Sequence, residues 1–362
     1  MRPFVLVKDT EMNNLQSKKK IIVIVAAFVA VCVLAGAFFF TSGLGPVSKD
    51  DKTDIVVTVE SGSGAYDILY TLDEAGLVKN SFCGKLYMKL FAPDTLQANT
   101  YVLNKTLSLK EQVRIIATGD MHYLQSSRFT IIEGATYKDA AAAISRTLGI
   151  NEGDIIAKWS DTLFLNELIG EYWFLTDEIL QDGIICPLEG YLYPETYTIM
   201  ESNPSIESIT RMILDLTATQ LEPLKDGIAS LDMSCHEFLA FASVVENESL
   251  FEDDRAKIAG VFMNRLEKDM ALQSDITVLY ALGEKRVDVT YADLEVDSLY
   301  NTYKYTGLPV GPVSNPYVKT MEDCINYEKH DYYYFFATED GDVLYTKTLA
   351  EHEQVVEDNL WY

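Results

Sequence analysis

Twenty consecutive residues without a charge, Ile21 to Phe40 (IIVIVAAFVAVCVLAGAFFF), interrupt an otherwise mixed pattern of polar and apolar positions. As an α-helix this run spans about 30 Å, the thickness of a bilayer's hydrocarbon core. Lys18, Lys19 and Lys20 stand directly before it, and a short Gly/Ser/Pro-containing stretch leads to Lys49, Asp50, Asp51, Lys52 and Asp54 after it. The positive-inside bias puts residues 1–20 in the cytoplasm as a short tail and the body of the chain outside. The run is long for the core of a cleaved signal peptide, and no clean small-x-small site precedes Asp50, so 21–40 reads as an uncleaved transmembrane helix. Residues 41–54 read as a linker.

Beyond the linker the pattern changes to short alternations and helical periods. IVVTVESGSGAYDILYTLDEAGLV (55–78) predicts a strand, a Gly/Ser turn and an amphipathic helix. FTIIEGATYKDAAAAISRTLGI (129–150) repeats the order, with Glu133-Gly134 at the turn and an Ala-rich helix. Residues 151–185 are helical and acidic. PLEGYLYPETYTI, from Pro187, alternates aromatics with Gly and Pro, as strands or ordered loops near sites do. Helical patterns cover 206–230, 236–250, 255–268 and 276–282, and a Gly/Pro/Tyr-rich loop covers 300–317. HDYYYFFAT (330–338) and DVLYTK (342–347) predict a hairpin around Glu339, Asp340 and Gly341, before a last helix from about Leu349. The fold class is α+β: an anchor, small α+β modules at 55–150, and a mixed α+β domain at 151–362.

The helix 236–250 carries the candidate chemistry. From Phe238 to Val245 nearly every residue is apolar or small, so this helix should be buried all round. Two glutamates end it, Glu246 and Glu248. Residues two apart point to nearly opposite faces, so at most one of them can face a given cleft. Glu248 continues the stripe Phe241, Val244, Val245. A carboxyl leaving such a stripe is desolvated, and the negative end of the helix dipole adds to that, so its pKa rises toward that of a general acid. Ser249 beside it is placed to hold the carboxyl by a hydrogen bond.

Charge and composition narrow the function. The chain carries −26; residues 1–40 hold five basic and two acidic side chains, which leaves −29 on residues 41–362. So acidic a body repels a nucleic-acid backbone. Five scattered cysteines and four scattered histidines show no metal-ligand spacing, so neither a metal nor a cofactor is expected.

ASVVENES, AGVFMNRLEKDMALQSDITVLYALG and YNTYKYTGLPVGPVSNP, with EGYLYPETY upstream and TKTLAEHEQVV downstream, resemble the endolytic murein transglycosylases, the YceG-like family, in order and spacing. The resemblance is dense over 186–355. It departs at Tyr317, where the family usually has Gly, and at Glu353, where Asn is common. The family's catalytic glutamate is the second of its motif, which falls on Glu248. What the resemblance implies is a bacterial membrane enzyme, a lyase, that cuts nascent peptidoglycan glycan strands, close to peptidoglycan synthases and the division or elongation machinery. It also implies a lysozyme-like helix bearing the buried glutamate. The strand-turn-helix segments resemble LysM-like modules that hold N-acetylated glycans; a small packing domain is the alternative.

Further substrate-binding candidates follow. Asn264 and Arg265 share a helix whose apolar positions are Ile258, Val261, Phe262 and Leu266. Gln273, Ser274 and Asp275 precede the next helix, where Asp275 or Ser274 reads more readily as an N-cap than as a ligand. Tyr191 and Tyr193 alternate in their segment, either to stack on sugars or to pack. Asn301 and Tyr303, with the stretch from Gly307 to Asn315, read as a substrate-lining loop. Glu246 and Ser249 complete the set. A non-catalytic wall-binding scaffold and a hydrolytic muramidase are the competing readings.

Overall fold

The structure, a computed structural model, describes residues 5–201, 203–249, 252–286, 289–338 and 341–359. The chain divides into two compact units, residues 1–126 with 200–203, and residues 127–199 with 204–362. In the smaller unit the first helix, α1, runs Val5–Gly43. Within it Lys19–Gly43 is 25 residues long, apolar and unburied, and long enough to cross a membrane. Strand β1 (Ile55–Val59), helices α2 (Ala65–Glu74) and α3 (Ser81–Phe91), strand β2 (Asn99–Leu103) and helix α4 (Leu109–Thr118) follow. β1 and β2 pair antiparallel, from Ile55 opposite Leu103 to Val59 opposite Asn99. Their inward residues Val57, Val59, Tyr101 and Leu103 meet Ile68, Leu69 and Leu72 of α2 and Val113 and Ile116 of α4 in one core.

That core also takes in Leu44, which is 2% exposed. The Leu109 N–H donates to the Leu44 carbonyl and the Ser48 N–H to the Lys105 carbonyl, both at 3.0 Å. Lys105 adds an ion pair to Asp51 at 2.9 Å. The start of the expected linker 41–54 is therefore stitched into the smaller unit, because an apolar residue and backbone donors there find partners. Sequence pattern assigned no element between 79 and 128, and α3, β2 and α4 occupy that stretch.

The larger unit comprises β3 (Ser127–Thr130), α5 (Tyr137–Leu148), α6 (Glu152–Lys158), α7 (Thr162–Glu171), β4 (Thr196–Ile199), α8 (Ile206–Leu221), α9 (Lys225–Ser230), α10 (Cys235–Glu248), α11 (Arg255–Glu267), α12 (Asp275–Leu282), α13 (Val318–Ile325), β5 (Tyr334–Ala337), β6 (Val343–Thr346) and α14 (Leu349–Asn359). β3 pairs antiparallel with β4, from Ser127 opposite Ile199 to Thr130 opposite Thr196. The opposed pair Phe129 and Tyr197 stacks with ring centroids 5.2 Å apart, a cross-strand contact that fixes the register. β5 and β6 form the expected hairpin; its tip residues Glu339 and Asp340 lie outside the described residues.

Both strand-turn-helix segments exist, but they do not share a module. Phe129, Ile131, Ala140, Ala141 and Ile144 belong to the same core as Trp159 and Phe238. The apolar face of α5 is covered by the larger unit, so the boundary falls near 126 instead of 150. Trp159, fully buried, donates its Nε1–H to Thr210 Oγ1 at 2.9 Å and ties α6 to α8. Trp159→Ala should destabilise the larger unit by about 3–5 kcal/mol. In hydrogen exchange, protection should fall in β3, β4 and α8 and stay unchanged in β1 and β2.

Candidate active site

Helix α10 starts on a reciprocal cap: the Glu237 N–H donates to Ser234 Oγ at 3.1 Å, and the Ser234 N–H to Glu237 Oε2 at 2.8 Å. Phe238 to Val245 are all buried, so the helix runs through the core as its composition predicts. It ends on three side chains about 100° apart, and each meets a different neighbour.

Glu246 turns inward. Its Oε1 accepts from Arg255 Nη2 at 3.0 Å, and its Oε2 from Thr320 Oγ1 at 2.6 Å and the Tyr317 N–H at 2.9 Å. Both partners of the ion pair are buried. Asn247 donates to the Ser243 carbonyl at 2.9 Å and to Ser314 Oγ at 2.5 Å. Across from it Gly134, at φ +68, leaves room that a Cβ would narrow to 3.3 Å from Asn247 Oδ1. The Glu-Gly turn after β3 thus packs on the end of α10.

Glu248 turns the other way and is only half-buried. Ser274 Oγ donates to its Oε1 at 2.5 Å. Burial pushes the Glu248 carboxyl up to about 7; the Ser274 bond and the Arg265 charge pull against this, and Asp275 adds to it. Glu246 and Glu248, two residues apart on one helix, are therefore held in opposite ways: one as the partner of an arginine, the other as a carboxyl that keeps its proton to near neutrality.

The loop before α12 brings Ser274 to Glu248. The Gln273 N–H donates to the Thr302 carbonyl at 3.2 Å and the Ser274 N–H to Thr302 Oγ1 at 3.1 Å. Gln273 sits exposed in the left-handed region at φ +49, an unusual conformation for a side chain of its kind, at the point where the chain turns toward the carboxyl. Ser274 occupies the N-cap position of α12, yet its hydroxyl makes no cap bond and serves Glu248 instead. Its importance was invisible in sequence, where a Ser before a helix reads as a cap.

The remaining sequence candidates separate into those near Glu248 and those spent elsewhere. Asp275 is exposed at the first turn of α12 and accepts from the Tyr303 hydroxyl at 2.6 Å. Asn301 is fully buried; it donates to the carbonyls of Leu294 and Val296 and accepts from the Tyr303 N–H, so it shapes the loop that presents Tyr303. Arg265, buried, donates to the carbonyls of Tyr333 and Leu272, both at 2.6 Å, and its charge reaches Glu248. Asn264 donates to the carbonyls of His330 and Tyr332 and holds the approach to β5. Ser249 does not hold Glu248: its Oγ is buried and has no hydrogen-bond partner among the described residues.

Tyr191 is buried between Phe174 and His236, with its hydroxyl 2.9 Å from His236 Nδ1; Tyr193 packs on Tyr317. Neither offers a ring face to a sugar, because both were needed to fill the core. Asn315 is buried and bridges the Ala135 carbonyl, Glu189 and the Leu192 N–H. Glu189, which sequence reasoning passed over, is fully buried, accepts from the Tyr137 N–H, and is pushed up to about 8 by burial. A cavity of about 660 Å³ opens at the other end of α10 beside His236 and Glu237. That is about 18 Å along the helix from Glu248.

Fold and site together define an α+β protein organised around one proton-holding carboxyl at the end of a buried helix. The family model described as YceG-like matches residues 57–358. The chain is 38% identical to a Bacillus subtilis (strain 168) protein named endolytic murein transglycosylase, over 90% of each chain. It is 33% identical to a protein of the same name from Streptococcus pneumoniae strain D39, over 94% of this chain and 65% of that one. A crystal structure titled as a putative yceG-like protein from Listeria monocytogenes is 37% identical and superposes with a TM-score of 0.62, over 84% of this chain and 99% of that chain. The chain belongs to the YceG-like family.

Two outcomes follow from the opposed glutamates. Arg255→Met leaves Glu246 buried without its cation and should cost about 3–5 kcal/mol in chemical denaturation, with Glu246→Gln in the same chain recovering part of it. For Glu248, the folded state binds the proton more tightly than an unfolded carboxyl titrating near 4.5. Stability from this group is therefore fully present below about pH 4.5 and is lost as pH rises through about 7. Glu248→Gln should accordingly stabilise the fold at pH 8 by roughly 1–3 kcal/mol and leave it little changed at pH 4, read by denaturation at the two pH values.

Proposed function

We propose that this chain is a membrane-anchored endolytic murein transglycosylase with Glu248 as its catalytic acid and base. The observation that carries the reading is the Glu248 carboxyl itself, half-buried, bonded to Ser274 and protonated to about pH 7, in a chain whose relatives bear that name. Its substrate is the peptidoglycan glycan strand, cut at the MurNAc–GlcNAc β-1,4 bond.

The chemistry needs only one carboxyl. Glu248 gives its proton to the glycosidic oxygen as the bond from that oxygen to C1 of the muramyl sugar breaks. The sugar's own acetamido group steadies the cation formed at C1. The C6 hydroxyl then closes onto C1, and its proton passes to the Glu248 carboxylate, which restores the acid. No water is consumed, and the product ends in 1,6-anhydro-MurNAc. Ser274 steadies the carboxylate between the two steps, since its bond favours the charged form. Tyr303, Asp275 and Gln273 border the carboxyl's loop and are the residues we assign to substrate contact.

α1 as a single-pass anchor, with its lysines on the cytoplasmic side, puts the catalytic unit where new strands emerge. The strand–helix–helix–strand order of β1, α2, α3 and β2 supports a LysM-like reading of the smaller unit. Peptidoglycan synthases and the division or elongation machinery are the neighbours this location implies. A hydrolytic muramidase is the second reading, favoured by Asp275, an exposed second carboxyl close enough to raise the Glu248 pKa.

Mass spectrometry of products from purified strands separates the readings, because anhydro ends are one water lighter than reducing ends. Anhydro ends are expected; reducing ends alone would exclude the transferase chemistry. Glu248→Gln should lower the rate by about 10²–10⁴-fold, whereas unchanged release would point to another acid. Since the acid must be protonated to start, activity should fall as pH rises through about 7. Ser274→Ala removes the bond that holds the pKa down, so it should move that limb of the pH profile to higher pH.

A further inference from the structure

One helix of the smaller unit shows a face that its own core does not use. Phe82, Leu86 and Leu90 recur every fourth residue along α3 and form one outward stripe; Phe91, the last residue of the helix, lies on another side of it. The three are 71%, 37% and 59% exposed, while Gly84 and Met88 on the opposite face, and Cys83 at the edge of the stripe, are buried. Single exposed apolar residues are ordinary, but a continuous helical stripe of large ones marks an interaction surface.

The charge around the stripe is opposite to that of the body. Lys79, Lys85 and Lys89 are exposed beside it, and no acidic residue occurs from 75 to 93, in a body of residues 41–362 that carries −29. None of these lysines forms an ion pair among the described residues. A helix with large apolar residues on one flank and lysines on the next has the make-up of one lying in a membrane interface.

Position supplies the third observation. Gly43, the last residue of α1, packs so closely on α3 that a Cβ there would come 2.5 Å from Cys83 Sγ. Cys83 Sγ also lies 3.9 Å from the Phe39 carbonyl. The first turn of α3 is therefore level with the last turn of the apolar span, where a membrane-crossing helix leaves the bilayer. No free linker separates the two, because Leu44 is already in the unit's core.

We propose that α3 lies on the outer surface of the membrane, with Phe82, Leu86 and Leu90 among the acyl chains and the lysines against anionic lipid phosphates. The smaller unit is then a second attachment to the bilayer, beside the anchor, and holds a fixed attitude to it. This rests on reading α1 as a membrane span. Lipid is the occupant that the page favours, since the stripe continues from the apolar span and its charge complements anionic headgroups.

The test uses the full chain in nanodiscs containing about 30% phosphatidylglycerol, with lipids brominated on the acyl chains. Tryptophan is introduced singly as Leu86→Trp on α3, Met121→Trp at an exposed site elsewhere in the unit, and Leu34→Trp within α1. The signal of the parent tryptophans Trp159, Trp173 and Trp361 is subtracted. Quenching at position 86 should exceed that at 121 by at least about twofold, as expected of a side chain within the interface. Replacing Lys79, Lys85 and Lys89 with Glu should bring it down to the level of 121. Equal quenching at 86 and 121 with strong quenching at 34 leaves the anchor standing and overturns the proposal. Absent quenching at 34 removes the anchor reading, and the proposal with it. Cross-linking of position 86 to a second copy without quenching would make the stripe a self-association surface and equally overturn it. Full quenching retained in the lysine variant overturns the role given to anionic headgroups.

Discussion

The buried Glu246 carboxylate is the constraint on which the larger unit's geometry depends. It gathers Arg255 from α11, Thr320 from α13 and the backbone of Tyr317 around the last turn of α10. A carboxylate so placed cannot lose one partner cheaply, because the low-dielectric surroundings leave no water to replace it. Three helices are thereby locked to one point. Given that lock, helical geometry leaves Glu248 no choice but to face the loop that carries Ser274.

The same geometry divides the labour of two chemically identical groups. Glu246 meets a guanidinium, a hydroxyl and a backbone N–H; Glu248 meets a hydroxyl, an aspartate and partial burial, and it keeps its proton. Only the neighbours differ. The arrangement carries a cost in stability above neutral pH, where Glu248 is forced to ionise in a site that disfavours it, and buried Glu189 adds to that cost in the same direction. Strain of this kind at a carboxyl is tolerable because the surrounding core, from Trp159 to Phe262, is extensive.

Much of the fold was legible in the chain's periodicity. The apolar run, the buried helix that ends at Glu248, the strand-turn-helix segments and the two strands of the late hairpin all stand where pattern puts them. Pattern failed between 79 and 128, where α3 and α4 are short and α3 shows apolar residues on more than its packed face. It also put the segment 129–150 with the wrong partner. Both strand-turn-helix segments look alike locally, and which core covers an apolar face is decided by residues far away in sequence.

The site shows the same division. Sequence alone determined that Glu246 and Glu248 face different ways, since a two-residue spacing on a helix is a local fact, and the apolar stripe together with the family motif made Glu248 the one proposed as the acid. Only the tertiary structure decided what surrounds that carboxyl. Ser274 replaced Ser249 as its hydrogen-bond partner, because a loop strapped to Thr302 reaches Glu248 from 26 residues away. Tyr191, Tyr193 and Asn315 were drawn into the core by packing that no alternation of residues records. Spacing along a chain fixes which side chains share a face; the contact each face makes depends on long-range packing.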